Sequence, residues 1–427
     1  MRARLLVIFC CLAAMFCSSP PPEFDLVIRG GDMLDGTGQP AQRTDIGIKG
    51  DRITAIGDLS GRRAGETIDA TGRMVTPGFI DTQGQSGTTL LADGNGESHI
   101  RQGITSEIIG EGSSPAFWTE KTADLETLQR FGIPFDWTTF DGYFRKLEDR
   151  GVSINLGTLV PATMARREIV GLDNRKPTAD DMRRMEEFVD RAMRDGAFGL
   201  SSALIYPPGS YADTDELIAL ARVAARHKGI YVSHVRGESF RVEQAIAEAI
   251  RIGAEAKLPV VIFHLKVAAR KHWGSMGKIN QMVMAAIYRG ELVSATQYPY
   301  TAGGTGLLAV LPGWAQEGGR PKTIERLKDP ALRARMRREI ETTIDGWENL
   351  IAAAGFEGIQ IASLPDHADQ SVLGKRLSQV ATERGEDPWD TLFRLLIETE
   401  GRVGALYHMM SEDDVKTAMQ YGFVTIG

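Results

Sequence analysis

From residue 81 onward the chain alternates short apolar runs with charged stretches of helical spacing, and no other pattern in it narrows the possible folds so far. Such alternation is the mark of βα units wound around a parallel sheet. Strands are expected at 104–110, 152–160, 199–205, 230–235, 259–264 and 292–298, with helices at 180–194 and 213–227. The span 323–354 reads as one long charged helical segment, and 364–427 as helices ending in a strand at 423–427. The stretch 75–85 opens the series: an apolar run, Pro77-Gly78, the apolar pair Phe79-Ile80, then Asp81. It reads as a buried strand that opens onto a loop carrying Gln83 and Gln85. With 427 residues, the chain has room for a barrel of about 250 residues and a smaller domain.

Before that series, 24–75 holds short strands broken by glycine, at 26–31, 46–50 and 52–57, which predict a small meander. Ahead of it, Arg2 and Arg4 precede an apolar run at 5–16, the build of a secretory signal peptide over 1–19. That run falls short of the roughly 20 residues needed to span a bilayer. Export to the periplasm or the medium is expected, with a lipid anchor on Cys17 as the alternative. Cys10, Cys11 and Cys17 are the only cysteines, so the exported chain would have neither a disulfide nor a thiolate ligand. The formal net charge of −7 argues against nucleic acid as a partner. No later stretch is long and apolar enough to be transmembrane, and a small molecule is the expected partner.

His234 and His264 stand at the ends of two consecutive predicted strands, on the face where barrel enzymes build their sites. Either alone could be a satisfied polar residue; two facing one mouth suggest metal ligands. Glu111, between Gly110 and Gly112, follows an earlier strand and is either a solvated loop tip or a third ligand. One carboxylate and two imidazoles with a fourth position open is a catalytic zinc arrangement suited to amide hydrolysis. Ala302 to Gly306 is glycine-rich with no lysine after it, so no phosphate loop is indicated, and Ser201-Ser202 lacks a nucleophile elbow. Arg236 is either an anion anchor or an ion-pair partner of Glu238.

Four motifs in order carry a resemblance: Gly196 to Gly209, Ser233-His234-Val235-Arg236, His264-Leu265-Lys266 with Trp273-Gly274 behind it, and Tyr298-Pro299-Tyr300-Thr301-Ala302-Gly303. They resemble the N-acyl-D-amino-acid deacylase (D-aminoacylase) branch of the amidohydrolase superfamily, from about residue 25 to the end. The resemblance implies a (β/α)8 TIM-type barrel over 76–427, flanked by a small β-sandwich to which 24–75 contributes. It implies one zinc per chain on Glu111, His234 and His264, with a substrate carboxylate held by Lys266 and Tyr298, and Tyr206 in the pocket. Gln83 and Gln85 stand where the family has a His-x-His pair, which points to loss of a second metal position and to amides lining the pocket. Thr296 stands where aspartate is usual, and Gly304 where serine is usual. The family's general-base aspartate is expected just after Gly427, so the last barrel unit and the sandwich read as incomplete.

The expected reaction is hydrolysis of the amide of an N-acyl-D-amino acid or related small carboxylate by activated water. Two rival expectations share the barrel: a non-catalytic descendant that keeps the pocket for binding, and a hydrolase of cyclic amides or dipeptides.

Overall fold

The computed structural model describes residues 21–342 and 345–427. The expected signal segment 1–19, with Cys10, Cys11 and Cys17, lies outside the described residues. The chain divides into two compact units, Met1–Gly78 and Phe79–Gly427.

In the first unit a five-stranded sheet has the order β3-β2-β1-β4, with β5 also beside β1. Its strands are β1 (Phe24–Met33), β2 (Gln42–Lys49), β3 (Arg52–Gly57), β4 (Ala64–Asp69) and β5 (Met74–Val75). The first three form the expected antiparallel meander, while β4 and β5 run parallel to β1. A core of Phe24, Val27 and Leu59 packs on one face, and Ile53, Ile56 and Ile68 are exposed.

The second unit carries β6 (Phe79–Asp81), β7 (Ile104–Ile109), β8 (Asn155–Thr158), β9 (Val160–Pro161), β10 (Gly199–Ala203), β11 (Ile230–His234), β12 (Val260–Ile262) and β13 (Val293–Gln297). Then come β14 (Ala302–Gly306), β15 (Ile359–Ser363), β16 (Gly404–His408) and β17 (Val424–Ile426). One parallel sheet runs β6-β7-β8, and a second, six-stranded, runs β17-β13-β12-β11-β10-β9. Only Leu159 separates β8 from β9, and its N–H bonds Ile109 O at 2.9 Å, so the two sheets meet there. The fold is mixed α/β, with strands following each other in chain order.

Two layers of core follow from the period-two alternation of the strands. Leu159, Val232 and Phe263 form a cluster with Ile108 and Val261. Residues of opposite parity, among them Ile109, Tyr231 and Ile262, are also buried, the latter two against helical residues such as Leu220 and Ile246. Burying each such side chain stabilises by about 1.5–3 kcal/mol. The helix Ala179–Asp195 starts where Thr178 Oγ1 accepts from Asp181 N–H at 3.1 Å and the Asp181 carboxylate accepts from Thr178 N–H at 2.9 Å. That reciprocal cap explains why its start was legible.

Three expectations need correction. The strand β6, expected to be buried, leaves Phe79 56% and Ile80 59% exposed. The single helical segment at 323–354 is three helices, Arg320–Lys328, Pro330–Thr342 and Leu350–Ala354. Pro330 has no N–H to continue the first, and Asn349 caps the third by accepting from Ala352 N–H at 2.9 Å. The region after 364 also contains a strand, β16, which sits between β14 and β15 in an antiparallel sheet. At five residues it is too short to outweigh the helical patterns of Pro388–Glu398 and Glu412–Ala418 on either side.

Candidate metal centre

Glu111, His234 and His264 come together at the C-terminal ends of β7, β11 and β12. Gly110 turns the chain out of β7 with φ +104°; a Cβ there would lie 2.5 Å from Leu159 O, so only glycine fits. The turn delivers the Glu111 carboxylate to the two imidazoles. Glu111 Oε1 lies 2.8 Å from His234 Nδ1 and 3.3 Å from His264 Nε2, and those nitrogens are 3.0 Å apart. His264 itself has φ +37°, a left-handed conformation that a non-glycine residue adopts only at a cost of about 1–3 kcal/mol. Backbone strain of this kind is concentrated at sites held by their surroundings.

The three donor atoms suit a small cation. Zinc bonds of about 2.0–2.1 Å directed to tetrahedral corners separate the donors by about 3.3 Å. Observed separations of 2.8–3.3 Å are close to that edge. Burial alone would raise the Glu111 pKa, but the hydrogen bonds and charge of His234 and His264 outweigh it and hold the carboxyl well below its usual range. For His264, burial and the Lys266 ammonium press the pKa down, yet Glu238 and Glu111 prevail and raise it. Positive charge is thus favoured at the position a metal ion would take.

Gln83 and Gln85 serve the other carboxylate oxygen. Glu111 Oε2 accepts from Gln83 Nε2 at 3.4 Å and from Gln85 Nε2 at 3.2 Å. Elementary donor counting fixes which way the Gln83 amide points. His264 N–H can only donate, and it does so to Thr296 Oγ1 at 2.7 Å. The hydroxyl proton is then free to go to Gln83 Oε1, also at 2.7 Å, which turns the amide nitrogen toward Glu111. Gly84, between the two glutamines, is obligatory, because a Cβ would fall 1.8 Å from Oε1 of the buried Glu107. Glu107 in turn anchors the loop by accepting from Ser86 N–H at 2.9 Å and from the Ser86 hydroxyl. Replacing Gln83 with leucine is expected to weaken metal binding about 10-fold or more while the melting temperature stays near native; calorimetric titration with zinc checks this.

Glu238, expected only as an alternative partner of Arg236, organises the far side. Its Oε1 lies 3.0 Å from His264 Nδ1, 2.5 Å from Lys266 Nζ and 3.7 Å from His234 Nε2, a buried nitrogen with no hydrogen-bond partner. Burial would raise the Glu238 pKa, but Lys266 and the two histidines hold it far below the usual value. Lys266 is 4% exposed, and its ammonium is engaged by Glu238 and by His264 Nδ1 at 2.6 Å. These two partners take two of the three N–H donors of the ammonium. Its Nζ also lies 5.4 Å over the ring of Tyr298.

Arg236 is likewise committed. Its guanidinium pairs with Glu248 at 2.8 and 2.9 Å and donates to Ser210 O and Ala212 O, and it lines a separate pocket. The expected partner Glu238 is therefore replaced by Glu248, and the residue does not reach the cavity of the metal cluster.

That cavity has a volume of about 860 Å³. Gln83, Gln85, Glu111, His234, His264, Tyr206, Tyr298 and the backbone of Gly427 line it. Tyr206 packs edge-on against His234 at 5.2 Å between centroids, and burial raises its phenol pKa. The Tyr298 hydroxyl donates to Met410 Sδ at 3.7 Å and also interacts with the Lys266 ammonium.

Glu348 supports Glu238 from behind, its Oε2 accepting from the Glu238 N–H at 3.0 Å. Burial pushes its pKa up to about 7, helped by the charge of Glu238. A carboxyl raised in the folded state contributes stability that is complete below the unfolded pKa of 4.5 and is lost as pH rises through about 7. Glu348→Gln is expected to remove roughly 3 kcal/mol of the stability decline between those two pH values, measured by urea denaturation across the range.

No family model matches the chain. It is 31% identical to a D-aminoacylase of Alcaligenes xylosoxydans xylosoxydans over 96% of this chain and 75% of that protein. A solved D-aminoacylase, described for its binuclear metal centre with one-metal activation and second-metal attenuation, superposes with a TM-score of 0.75 at 29% identity, over 95% of this chain and 75% of that one. The N-acyl-D-glutamate deacylase of Bordetella bronchiseptica, solved with zinc and a phosphonate mimic of its tetrahedral intermediate, gives a TM-score of 0.75 at 28% identity with the same two coverages. The chain belongs to the amidohydrolase superfamily, in its D-aminoacylase branch.

Proposed function

We propose that the protein hydrolyses the amide bond of N-acyl-D-amino acids or related small carboxylates, using a single divalent ion, zinc, held by Glu111, His234 and His264. The observation that carries this reading is the set of three donor atoms at 2.8–3.3 Å on the wall of a cavity large enough for such a substrate. The kinship with deacylases that bind metal supports it. So does the parallel strand order, which we read as the (β/α)8 barrel of the superfamily. The exposed isoleucines of the first unit fit one layer of the flanking β-sandwich.

A bound metal ion would polarise the substrate carbonyl and lower the pKa of a water molecule. The residues of the chain do the rest. Glu238 and Lys266 enclose His264 Nδ1 and hold the ring with Nε2 facing Glu111 and His234. Gln83 and Gln85 hold Glu111 so that Oε1 faces the imidazoles, and their own amide nitrogens, turned toward a carboxylate, offer nothing to a second ion. This favours one metal over two. Tyr206 and Tyr298 exclude water from the walls and orient the acyl amide. Net reaction adds water across the C–N bond, giving a carboxylic acid and a free D-amino acid. Gly427 lines the cavity.

The test is metal analysis of purified protein together with a panel of N-acetyl-D- and N-acetyl-L-amino acids. About one zinc per chain and turnover of the D-isomers support the reading; turnover of none of them by the zinc-loaded protein rejects it.

A further inference from the structure

A second group of metal-ligating side chains lies on one face of β6 and β7, apart from the cavity. The two strands pair so that Asp81 stands beside Glu107, and side chains at paired positions share a face. Ile108, the next residue of β7, packs with Leu159, Val232 and Phe263, so Glu107 and Asp81 are turned to the other side. His99, from the helix Glu97–Ile100, meets them there. One donor atom from each of the three residues lies within 4.8 Å of the other two.

The charge of this group is uncompensated. Glu107 is fully buried, and among the described residues no lysine or arginine pairs with it or with Asp81. Their hydrogen bonds come from neutral groups: Gln83 N–H donates to Asp81 Oδ1 at 2.9 Å, and the N–H and hydroxyl of Ser86 both donate to Glu107. Buried charges are paired or coordinate metals, and two carboxylates this close repel each other. His99 Nδ1 lies 3.2 Å from Ser98 Oγ, while its Nε2 faces Glu107 Oε2 at 3.9 Å, too far for a hydrogen bond. Octahedral metal bonds of about 2.1 Å place donors about 3 Å apart at neighbouring corners and about 4.2 Å apart at opposite ones. The separation of 3.9 Å falls between those values.

We propose that Asp81, His99 and Glu107 form a second cation site, which takes manganese(II). Two carboxylates to one imidazole make an oxygen-rich set that suits manganese, whereas the imidazole-rich set of Glu111, His234 and His264 suits zinc. The ion neutralises the buried carboxylates and ties the helix Glu97–Ile100 to β6 and β7. The loop with Gln83 and Gln85 hangs from the same two carboxylates, through Gln83 N–H and Ser86. The role is structural, and it does not depend on the reaction performed at the zinc centre.

Native protein, Asp81→Asn and His99→Ala, each given one equivalent of zinc, are titrated with manganese(II), and His264→Ala is titrated without zinc. Unbound manganese is followed by its electron paramagnetic resonance signal, so the readout is independent of turnover. The native protein is expected to bind about one manganese per chain. Asp81→Asn and His99→Ala should bind it more than about 10-fold more weakly, since even a group that only orients a ligand costs that much when removed. The His99 side chain is 19% exposed, so its replacement leaves the fold intact, which melting curves verify. His264→Ala, which breaks the zinc centre, should bind manganese as the native protein does. No binding by the native protein, native affinity in either Asp81→Asn or His99→Ala, or loss of binding in His264→Ala overturns the proposal.

Discussion

Changing His264 to alanine is expected to lower zinc affinity by more than about 100-fold and to abolish amide hydrolysis. Partners that merely orient a ligand cost about 10- to 100-fold when removed, and His264 is itself a donor. The loss goes beyond one atom. His264 Nε2 faces both Glu111 and His234, and its Nδ1 links the cluster to Glu238 and Lys266. Without the ring, two donors remain on one side of the site. Equilibrium dialysis followed by metal analysis checks the affinity, and melting curves establish that the variant is folded. Retention of stoichiometric zinc would remove His264 from the ligand set.

A comparable effect, on stability, is expected for Glu238→Ala. Lys266 is buried, and among the described residues Glu238 is its only carboxylate partner, at 2.5 Å. Removing one member of a buried pair strands the other charge and costs about 3–5 kcal/mol, more than the pair itself contributes. The same logic predicts rescue. In the Glu238→Ala background, Lys266→Met removes the stranded charge and should recover at least half of the loss. Urea denaturation of the two single variants and the double variant measures this as a cycle. A cost below about 1 kcal/mol for the first change would mean that the ammonium finds another partner.

What the sequence revealed of this site, and what it hid, depends on how local each signal is. Glu111, His234 and His264 each follow an apolar run that ends in a loop, and strand ends on one sheet face converge whatever the intervening helices do. Those three were therefore legible as one group. Glu238 was not, because it lies on the loop after β11 and acquires its meaning only when β12 brings Lys266 and His264 alongside. The partners of Lys266 and Arg236 were open in the sequence, where a paired cation and an unpaired one are written with the same letter; the structure pairs them with Glu238 and Glu248. For the fold, helices with strong caps were placed well. A five-residue strand such as β16 was lost between two helices, because so few residues cannot set a period against their neighbours.

The hydrogen bonds from His264 N–H through Thr296 to Gln83 and Glu111 also bear on how such a site can change by mutation. Each group in that series has a fixed polarity: a donor first, a hydroxyl that accepts and passes on, a carbonyl oxygen that only accepts. An imidazole at position 83 that turned an N–H toward position 296 would call for an acceptor there, such as the aspartate usual in the resembled family. An amide oxygen at position 83 calls for a donor, and threonine supplies it. Because a hydroxyl can accept as well as donate and an amide can turn over, Thr296 and Gln83 can each meet a donor or an acceptor at the other position, so either can change first without leaving a group unpaired.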